Sequence, residues 1–321
     1  MITALSLLGE ISMLRYIVKR LLWLIPILLG VTFIVFTIMY LSPGDPATII
    51  LGEGASVEAY EALRTELGLD QPFIVQFLNY VGDVIFRQDL GRSYVSNRVV
   101  LSEILVRLPN TIKLASWSIL LATLIGVPLG VISATRPYSK LDNVVMYISL
   151  LGVSMPTFWQ ALLLIILFTS TLGWLPATGF TTWQHMIMPV FALATSSMGT
   201  ISRITRSSMM DVLDQDYIRT SNAKGVPENR IIFQHALRNA LIPVVTIIGL
   251  QFGALLGGAV LTETVFSING LGTMMVNAIR TRDAMMVQGG VLFIAFIFTL
   301  VNLCVDILYA YIDPRIRSQY D

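Results

Sequence analysis

The sequence predicts an all-α, polytopic membrane protein with six membrane-crossing helices, and three observations predict it. Of 321 residues, 55% are hydrophobic and only 13% are charged, about half the charged share of an average soluble domain. Mean hydropathy is +0.74. The apolar residues are gathered into runs near or above the roughly 20 residues that carry a helix across a bilayer. Lipid offers a bare backbone no hydrogen-bond partners, so runs this long must be helical, whereas a β-barrel would need short alternating segments.

The elements follow in chain order. Residues 1–15 read as a cytoplasmic N-terminus. The first run, 16–40, begins beside Arg15, Lys19 and Arg20 and has no small-residue cleavage site before the polar stretch at Ser42. It reads as a retained anchor rather than a cleaved signal. Segment 41–112 holds nine carboxylates and five arginines, and Pro43-Gly44-Asp45-Pro46, Gly68, Pro72 and Gly91 punctuate it. Within this external segment, 58–67 predicts an amphipathic helix and 71–86 a second one with Pro72 near its first turn. A core of 113–312 contains the other five runs, at about 114–135, 143–172, 187–202, 241–265 and 285–312, and 313–321 read as a cytoplasmic C-terminus. The fourth run is the shortest. No internal repeat is evident, so the inverted halves of many secondary transporters are not expected.

Orientation follows from the basic residues of short loops, which resist translocation. Three precede or open the first helix, Arg136 and Lys140 lie between helices 2 and 3, six lie between helices 4 and 5, and Arg315 and Arg317 end the chain. The opposite short loops hold only Arg280 and Arg282. Both termini are therefore expected in the cytoplasm. A net charge of +1 implies no nucleic-acid partner. Cys304 is the sole cysteine, and His185 and His235 have no paired-ligand spacing, so disulfide, zinc and metal-catalytic roles are not expected. None of the four lysines follows a glycine, which removes a phosphate-cradling Walker A loop. A hydrolase is disfavoured too, because neither GxSxG nor HExxH occurs. The competing reading is an ion-coupled secondary transporter, which would need ionisable groups near mid-membrane.

Three places carry functional signals. Between helices 4 and 5, 207–223 predicts a helix ended by Gly225 as a left-handed residue, and Pro227-Glu228 starts another. Ala223 and Gly225 leave the corner small enough for another protein to approach its backbone, and a plain connection between membrane helices fits the same spacing. The segment carries a net +2 and is tethered at both ends, unlike a DNA-reading helix-turn-helix. Helix 5 carries Gly249, Gly253 and Gly257 at four-residue spacing with Gly258 beside them, a face suited to close packing or to a sliding gate. Gln251 and Glu263 flank that seam, with Glu263 expected near the outer end, where water is at hand, as a gate or interface residue. In helix 3, Pro156 predicts a kink, and Phe158, Trp159 and Gln160 beside it either line a passage or serve structure alone. Asp306 in helix 6 is expected to satisfy its charge at the cytoplasmic interface.

Asp216-Tyr217-Ile218-Arg219-Thr220-Ser221-Asn222-Ala223-Lys224-Gly225 followed by His235 to Pro243 resembles the EAA loop of ABC-importer permeases. The resemblance is closest to the first, B-type permease subunit of the dipeptide, oligopeptide and nickel branch. It extends over Pro43-Gly44-Asp45-Pro46, Leu67 to Pro72, Asp89 to Ser93, Glu263-Thr264-Val265-Phe266 and Gly270-Leu271-Gly272, and spans Met13 to Arg317. Residues 1–12 precede the family's usual start. The resemblance implies a type I importer permease fold in a bacterial inner membrane, with no chemistry performed by this chain. It implies a coupling helix through which Asp216, Arg219, Ala223, Lys224 and Gly225 meet an ATPase. Ser221-Asn222 stands where Ala-Arg is common, so one positive charge is missing there. On the residues themselves, Gln251, Gly253, Gly257, Gly258 and Glu263, with the helix 3 residues, are expected to border the path or gate, and the outer loop from Phe266 to Asp283, with Gly270, Gly272 and Arg282, is expected to touch the binding protein or close the external gate. The implied partners are a paralogous permease, two ATP-binding subunits carrying ATP and Mg, and an external solute-binding protein. Dipeptides, oligopeptides, glutathione, nickel and opines are all open as cargo.

Overall fold

The computed structural model describes the backbone of residues 2–42, 44–52 and 54–312, and within these the side chains of 18–305 and Ile307. The expected interfacial setting of Asp306 and the C-terminal stretch 313–321 lie outside the described residues. The chain is all-α, with fourteen helices and only an isolated bridge between Arg92 and Val99 among the described residues. Helix α1 runs Ile2–Leu41, so the expected N-terminal tail 2–15 continues the first membrane helix. Asp45 accepts the Ala47 N–H and Pro46 sits in the first turn, which starts α2 (Pro46–Leu51). Ser56 caps α3 (Val57–Glu66), and α4 (Phe73–Arg87) follows Pro72. These are the two helices expected in the polar segment, each shifted by a residue or two.

Helix α5 (Val100–Thr135) contains 36 residues, about 54 Å at 1.5 Å per residue. The expected third helix is two: α6 (Lys140–Ser154) and α7 (Thr157–Leu164, continued by a π-helical stretch Ile165–Thr171), meeting at 101°. The kink expected at Pro156 is thus a break. Four helices, or five counting this bent pair, have the length and apolarity of a membrane span among the described residues. The remaining expected run, 187–202, is the middle of α8 (Trp183–Leu213), whose 31 residues are long enough to cross but which carries serines, threonines and two arginines. Next come α9 (Asp216–Ala223), α10 (Glu228–Arg230), a π-helical stretch Ile231–Ala236 and α11 (Leu237–Gly258). The chain ends through α12 (Val260–Val265), α13 (Leu271–Arg280) and α14 (Ala284–Ile312).

Helix α8 is the centre of the bundle, touching α5, α6, α7 and α11. Apolar association gains little in lipid, so contact depends on how closely backbones approach. On α5, a Cβ added at Gly126 would lie 2.9 Å from the Met198 carbonyl, and one at Gly130 2.5 Å from the Thr205 Cβ. Gly152 of α6 lies as closely against Thr195, and Gly199 of α8 against the Ser149 carbonyl. At the other side of the chain, α1 packs on α14 and α4, where Phe33, Phe36 and Tyr40 meet Phe73 and Phe77 edge-on with centroids 5.0–6.0 Å apart.

A polar clamp fixes the α8 end nearest α9. The buried Asp142 carboxylate accepts Arg206 Nε and Nη2, both at 2.7 Å, the Ser133 hydroxyl, and the Tyr138 N–H at 2.8 Å. Ser139 caps α6 by accepting the Asp142 N–H at 3.1 Å. One carboxylate therefore joins α5, α6 and α8.

Two substitutions test this packing. Gly130→Val should lower stability by about 1–3 kcal/mol through overpacking, read as an earlier melting transition in detergent, whereas Gly257→Ala, where a Cβ meets nothing within 4 Å, should melt as the parent does. Asp142→Asn should cost about 2–3 kcal/mol, below the range for fully buried pairs because the Arg206 side chain keeps 20% exposure. An unchanged melting temperature in Asp142→Asn would remove the clamp from the structural argument.

Candidate functional site

A small, exposed corner lies at the end of α9. Ser221, Asn222 and Ala223 form its last turn, Lys224 follows, and Gly225 turns left-handed at φ +75°. The Val226 N–H returns to the Ser221 carbonyl at 3.2 Å and the Gly225 N–H to the Asn222 carbonyl at 2.9 Å. These are the two bonds of a Schellman ending, and they need a residue without a Cβ penalty at position 225. Ala223, Lys224 and Gly225 are exposed, and a Cβ at Gly225 would meet nothing within 4 Å. Steric freedom in the isolated chain therefore does not explain the glycine; its backbone conformation does.

The corner is rigidly seated. Ile218, 2% exposed, enters a cluster with Val131 and Ala134 of α5, Met209 of α8, and Ile231 and Ala236 of the π-helical stretch. Asn239 Nδ2 donates to the Tyr217 hydroxyl at 2.9 Å, tying α9 to α11. Arg219 pairs with Asp214 at 2.9 Å, not with Asp216, and both partners are exposed, so the pair adds little stability. Asp216 opens α9, where its carboxylate faces the positive end of the helix dipole. The helix expected over 207–223 breaks after Leu213: Gln215 takes an extended conformation and α9 restarts.

At the opposite end of α11, Glu263 is fully buried, which corrects the expectation of water at hand. Its Oε1 accepts the Thr111 hydroxyl at 2.6 Å and its Oε2 the Thr273 N–H at 3.1 Å, while Thr111 accepts the Leu271 N–H at 2.9 Å. The carboxylate thus caps the N-terminus of α13 from α12 and binds both to α5. Gly270 and Gly272 are buried around it; a Cβ at Gly270 would fall on the Glu263 carboxylate, and one at Gly272 2.5 Å from the Val260 Cα. That corrects their placement as surface contacts. Ile268 is buried, its N–H on the Glu263 carbonyl at 2.8 Å, and Asn110 Nδ2 holds the Asn269 carbonyl at 2.8 Å. Arg282 stays exposed, with φ +56°.

The helix 3 residues separate. Pro156 has no N–H for the Gly152 carbonyl four residues back. Gln160, 6% exposed, donates to that carbonyl at 3.4 Å and to the Met155 carbonyl at 3.0 Å. It repairs the break instead of presenting its amide to a passage, whereas Phe158 and Trp159 are 42% and 46% exposed. On α11, Gly249 and Gly253 receive Val305 and Phe298 of α14, while Gly257 and Gly258 are open. Gln251 Nε2 donates to the Ser197 hydroxyl at 3.1 Å, bonding α11 to α8. Sequence reasoning missed Thr111, Asp142, Arg206 and Ile218. Ser139-x-x-Asp142 before an apolar run was a legible capping pattern, and Gly126-x-x-x-Gly130 a legible packing one; Thr111 had no local signal. Among the described residues no group of three metal-ligating side chains occurs.

Comparison with known proteins agrees with this architecture. The family described as binding-protein-dependent transport system inner membrane component matches residues 126–318, and its N-terminal companion matches 13–115. The dipeptide transport system permease protein DppB of Alkalihalophilus pseudofirmus is 46% identical over 95% of this chain and 100% of its own length. The oligopeptide transport system permease protein AppB of Bacillus subtilis is 43% identical over 95% and 100%, and the glutathione transport system permease protein GsiC of Escherichia coli 44% over 95% and 99%. Among solved structures, a chain of the MetNI methionine ABC transporter in inward-facing conformations superposes with a TM-score of 0.57 at 18% identity, covering 66% of this chain and 97% of that one. An amino acid ABC transporter chain gives 0.52 at 16% identity, over 67% and 94%. The chain therefore belongs to the binding-protein-dependent transport system inner membrane components, the permease subunits of ABC importers.

Proposed function

We propose that this permease forms half of the membrane path of an importer for short peptides, paired with a paralogous permease. Two cytoplasmic subunits that bind ATP and Mg drive it, and an external solute-binding protein delivers the cargo. The relatives' peptide and glutathione cargoes support the substrate class. Both termini and α9 lie in the cytoplasm in this reading, and segments 42–112 and 266–284 outside, as the loop charges favour.

The observation that carries the reading is the α9 corner: small, exposed, closed by a Schellman ending and bolted through Ile218 to α5, α8 and the start of α11. A larger side chain at 223, or any at 225, would hold an approaching ATPase away, and a push on α9 would pass directly to three helices. The clamp of Asp142 and Arg206 keeps the α8 end from yielding under that push. Lys224 contacts the ATPase, and Asp216 and Arg219 orient the corner by charge. At the other end, Glu263 holds α12 and α13 as one platform, which presents Arg282 to the binding protein. Gly257 and Gly258 give α11 its smooth face toward the path, bordered by Phe158, Trp159 and Gln251, while Gly253 lies under Phe298 of α14.

Gly225→Val places a β-branched residue in a left-handed conformation, at a cost of about 1–2 kcal/mol, and adds bulk at the contact. ATPase recovery with the purified permease should fall severalfold and ATP-driven uptake with it, while the membrane helices persist by circular dichroism. Normal assembly with normal uptake would return the corner to a mere connection. For the topology, Ser56→Cys and Lys224→Cys in a Cys304→Ala background should label with an impermeant thiol reagent from opposite sides of the membrane; labelling of both from one side would sink it.

A further inference from the structure

Helix α4 has three faces, one more than a helix on the surface of a soluble domain uses. At about 100° per residue, Phe73, Phe77, Tyr80 and Val84 share one face, Gln76, Asn79, Asp83 and Arg87 a second, and Ile74, Leu78, Val81 and Ile85 a third. The first face packs on α1. Phe73 meets Phe33, Phe36 and Tyr40 with centroids 5.0–6.0 Å apart, Phe77 meets Phe33 and Phe36 at 5.3 and 5.6 Å, and Tyr80 lies 6.1 Å from Phe36. The second is polar and carries its own charge balance, since Arg87 pairs with Asp83 at 2.9 Å. The third is apolar and open: Ile74, Leu78 and Ile85 are each more than half exposed, and Phe86, at the end of the helix, is 86% exposed.

The place of the contact on α1 fixes the depth of α4. Lys19 and Arg20 stand just before an uncharged run, 21–41, which rises about 31 Å and matches a hydrocarbon layer of roughly 30 Å with nothing to spare. Phe33 lies about 12 Å along the axis before Leu41, so α4 meets α1 beside the last third of that run. A helix held in water would meet α1 beyond Leu41. On the same turns α1 exposes Ile34 and Ile38, and the open stripe of α4 continues the surface that α1 offers to lipid.

We propose that α4 is an interfacial helix whose third face, Ile74, Leu78, Val81 and Ile85, lies in the lipid at the edge of the membrane that α1 crosses. Asn79, Asp83 and Arg87 are then on the water side. Asp83 and Arg87 are the only charged residues of α4 and cancel, so burial of apolar area holds the helix without any need for anionic headgroups. The external segment is thereby pinned twice. Through α4 it sits on the membrane, and farther along the chain the buried Asp283 at the start of α14 accepts the Ser93 hydroxyl and, at 3.1 Å, the Tyr94 N–H. Helices α2 and α3 are carried on this base instead of swinging on a tether. The inference needs only that α1 crosses the membrane, and neither the cargo nor the orientation proposed above.

The test is a spin-label scan of α4 in the full transporter, reconstituted in phosphatidylcholine nanodiscs in a Cys304→Ala background. Ile74→Cys, Leu78→Cys and Ile85→Cys report the open stripe, Asn79→Cys and Arg87→Cys the polar face, and Phe86→Cys replaces any stripe variant that does not elute as an intact complex. Collisional access is measured with oxygen, which concentrates in hydrocarbon, and with a water-soluble nickel chelate. Labels on the stripe should be severalfold more accessible to oxygen than to the chelate and labels on the polar face the reverse, with the same pattern after phosphatidylglycerol is added to the lipid. Chelate access on the stripe equal to that at Asn79→Cys would put α4 in water, and a stripe closed to both reagents would mean that protein covers it. Either result, or a pattern that appears only with phosphatidylglycerol, would overturn the proposal.

Discussion

Everything else in this chain depends on how closely α8 lets its neighbours approach. In lipid there is no hydrophobic gain from bringing two apolar helices together, so van der Waals contact and polar bonds must hold them. Gly126 and Gly130 on α5, Gly152 on α6 and Gly199 on α8 remove side chains where the backbones meet. The same absence of water gives weight to the polar bonds that are made between these helices, although the Ser202 and Thr205 hydroxyls beside Gly130 have no hydrogen-bond partner among the described residues. Asp142 accepts from three elements, Gln251 reaches Ser197, and Gln160 occupies the carbonyl that Pro156 abandons.

The molecule is consequently tied at its two ends and smooth between them. At one end a carboxylate on α6 binds α5 and α8, and a single isoleucine seats α9 on the same group of helices. At the other, Glu263 joins α5, α12 and α13. In the function proposed above an ATPase and a binding protein act at these two places, and at both the outlying element is a short helix without a core of its own. Such a helix transmits force only if it is bonded to the long ones. The π-helical stretch Ile231–Ala236, where α11 leaves the α9 corner, is a natural site of adjustment, since its wider turn is less well bonded than an α-helix.

Several glycines change meaning once their neighbours are known. Along α11, a regular four-residue spacing reads as one seam, yet only Gly249 and Gly253 are covered by α14. Gly257 and Gly258 are open, free for a partner or for a moving path. Gly270 and Gly272, expected at the binding-protein surface, are buried instead: they are small because Glu263 and Val260 already occupy the space. Gly225 keeps its expected role, because a left-handed helix ending is a property of the local backbone and not of what surrounds it.

The sequence by itself determined what depends on composition and local chemistry. Runs of apolar residues set the helices, Pro156 marked the break, Pro72 and Pro227 marked helix starts, and the stretch 216–243 identified the family through its order of residues. It also placed the α9 corner, whose geometry is written within ten residues. Tertiary structure alone decided which polar side chains meet. Thr111 and Glu263 are 152 residues apart, Asp142 and Arg206 64 apart, and Ser93 and Asp283 190 apart; no local pattern pairs them. It also decided that Glu263 is buried, that Gln160 mends its own helix break, and that α8, the most polar of the long helices in the core, lies at its centre. Periodicity shows that a helix has two faces, but which of them meets lipid and which meets protein is fixed only when the other helices are in place.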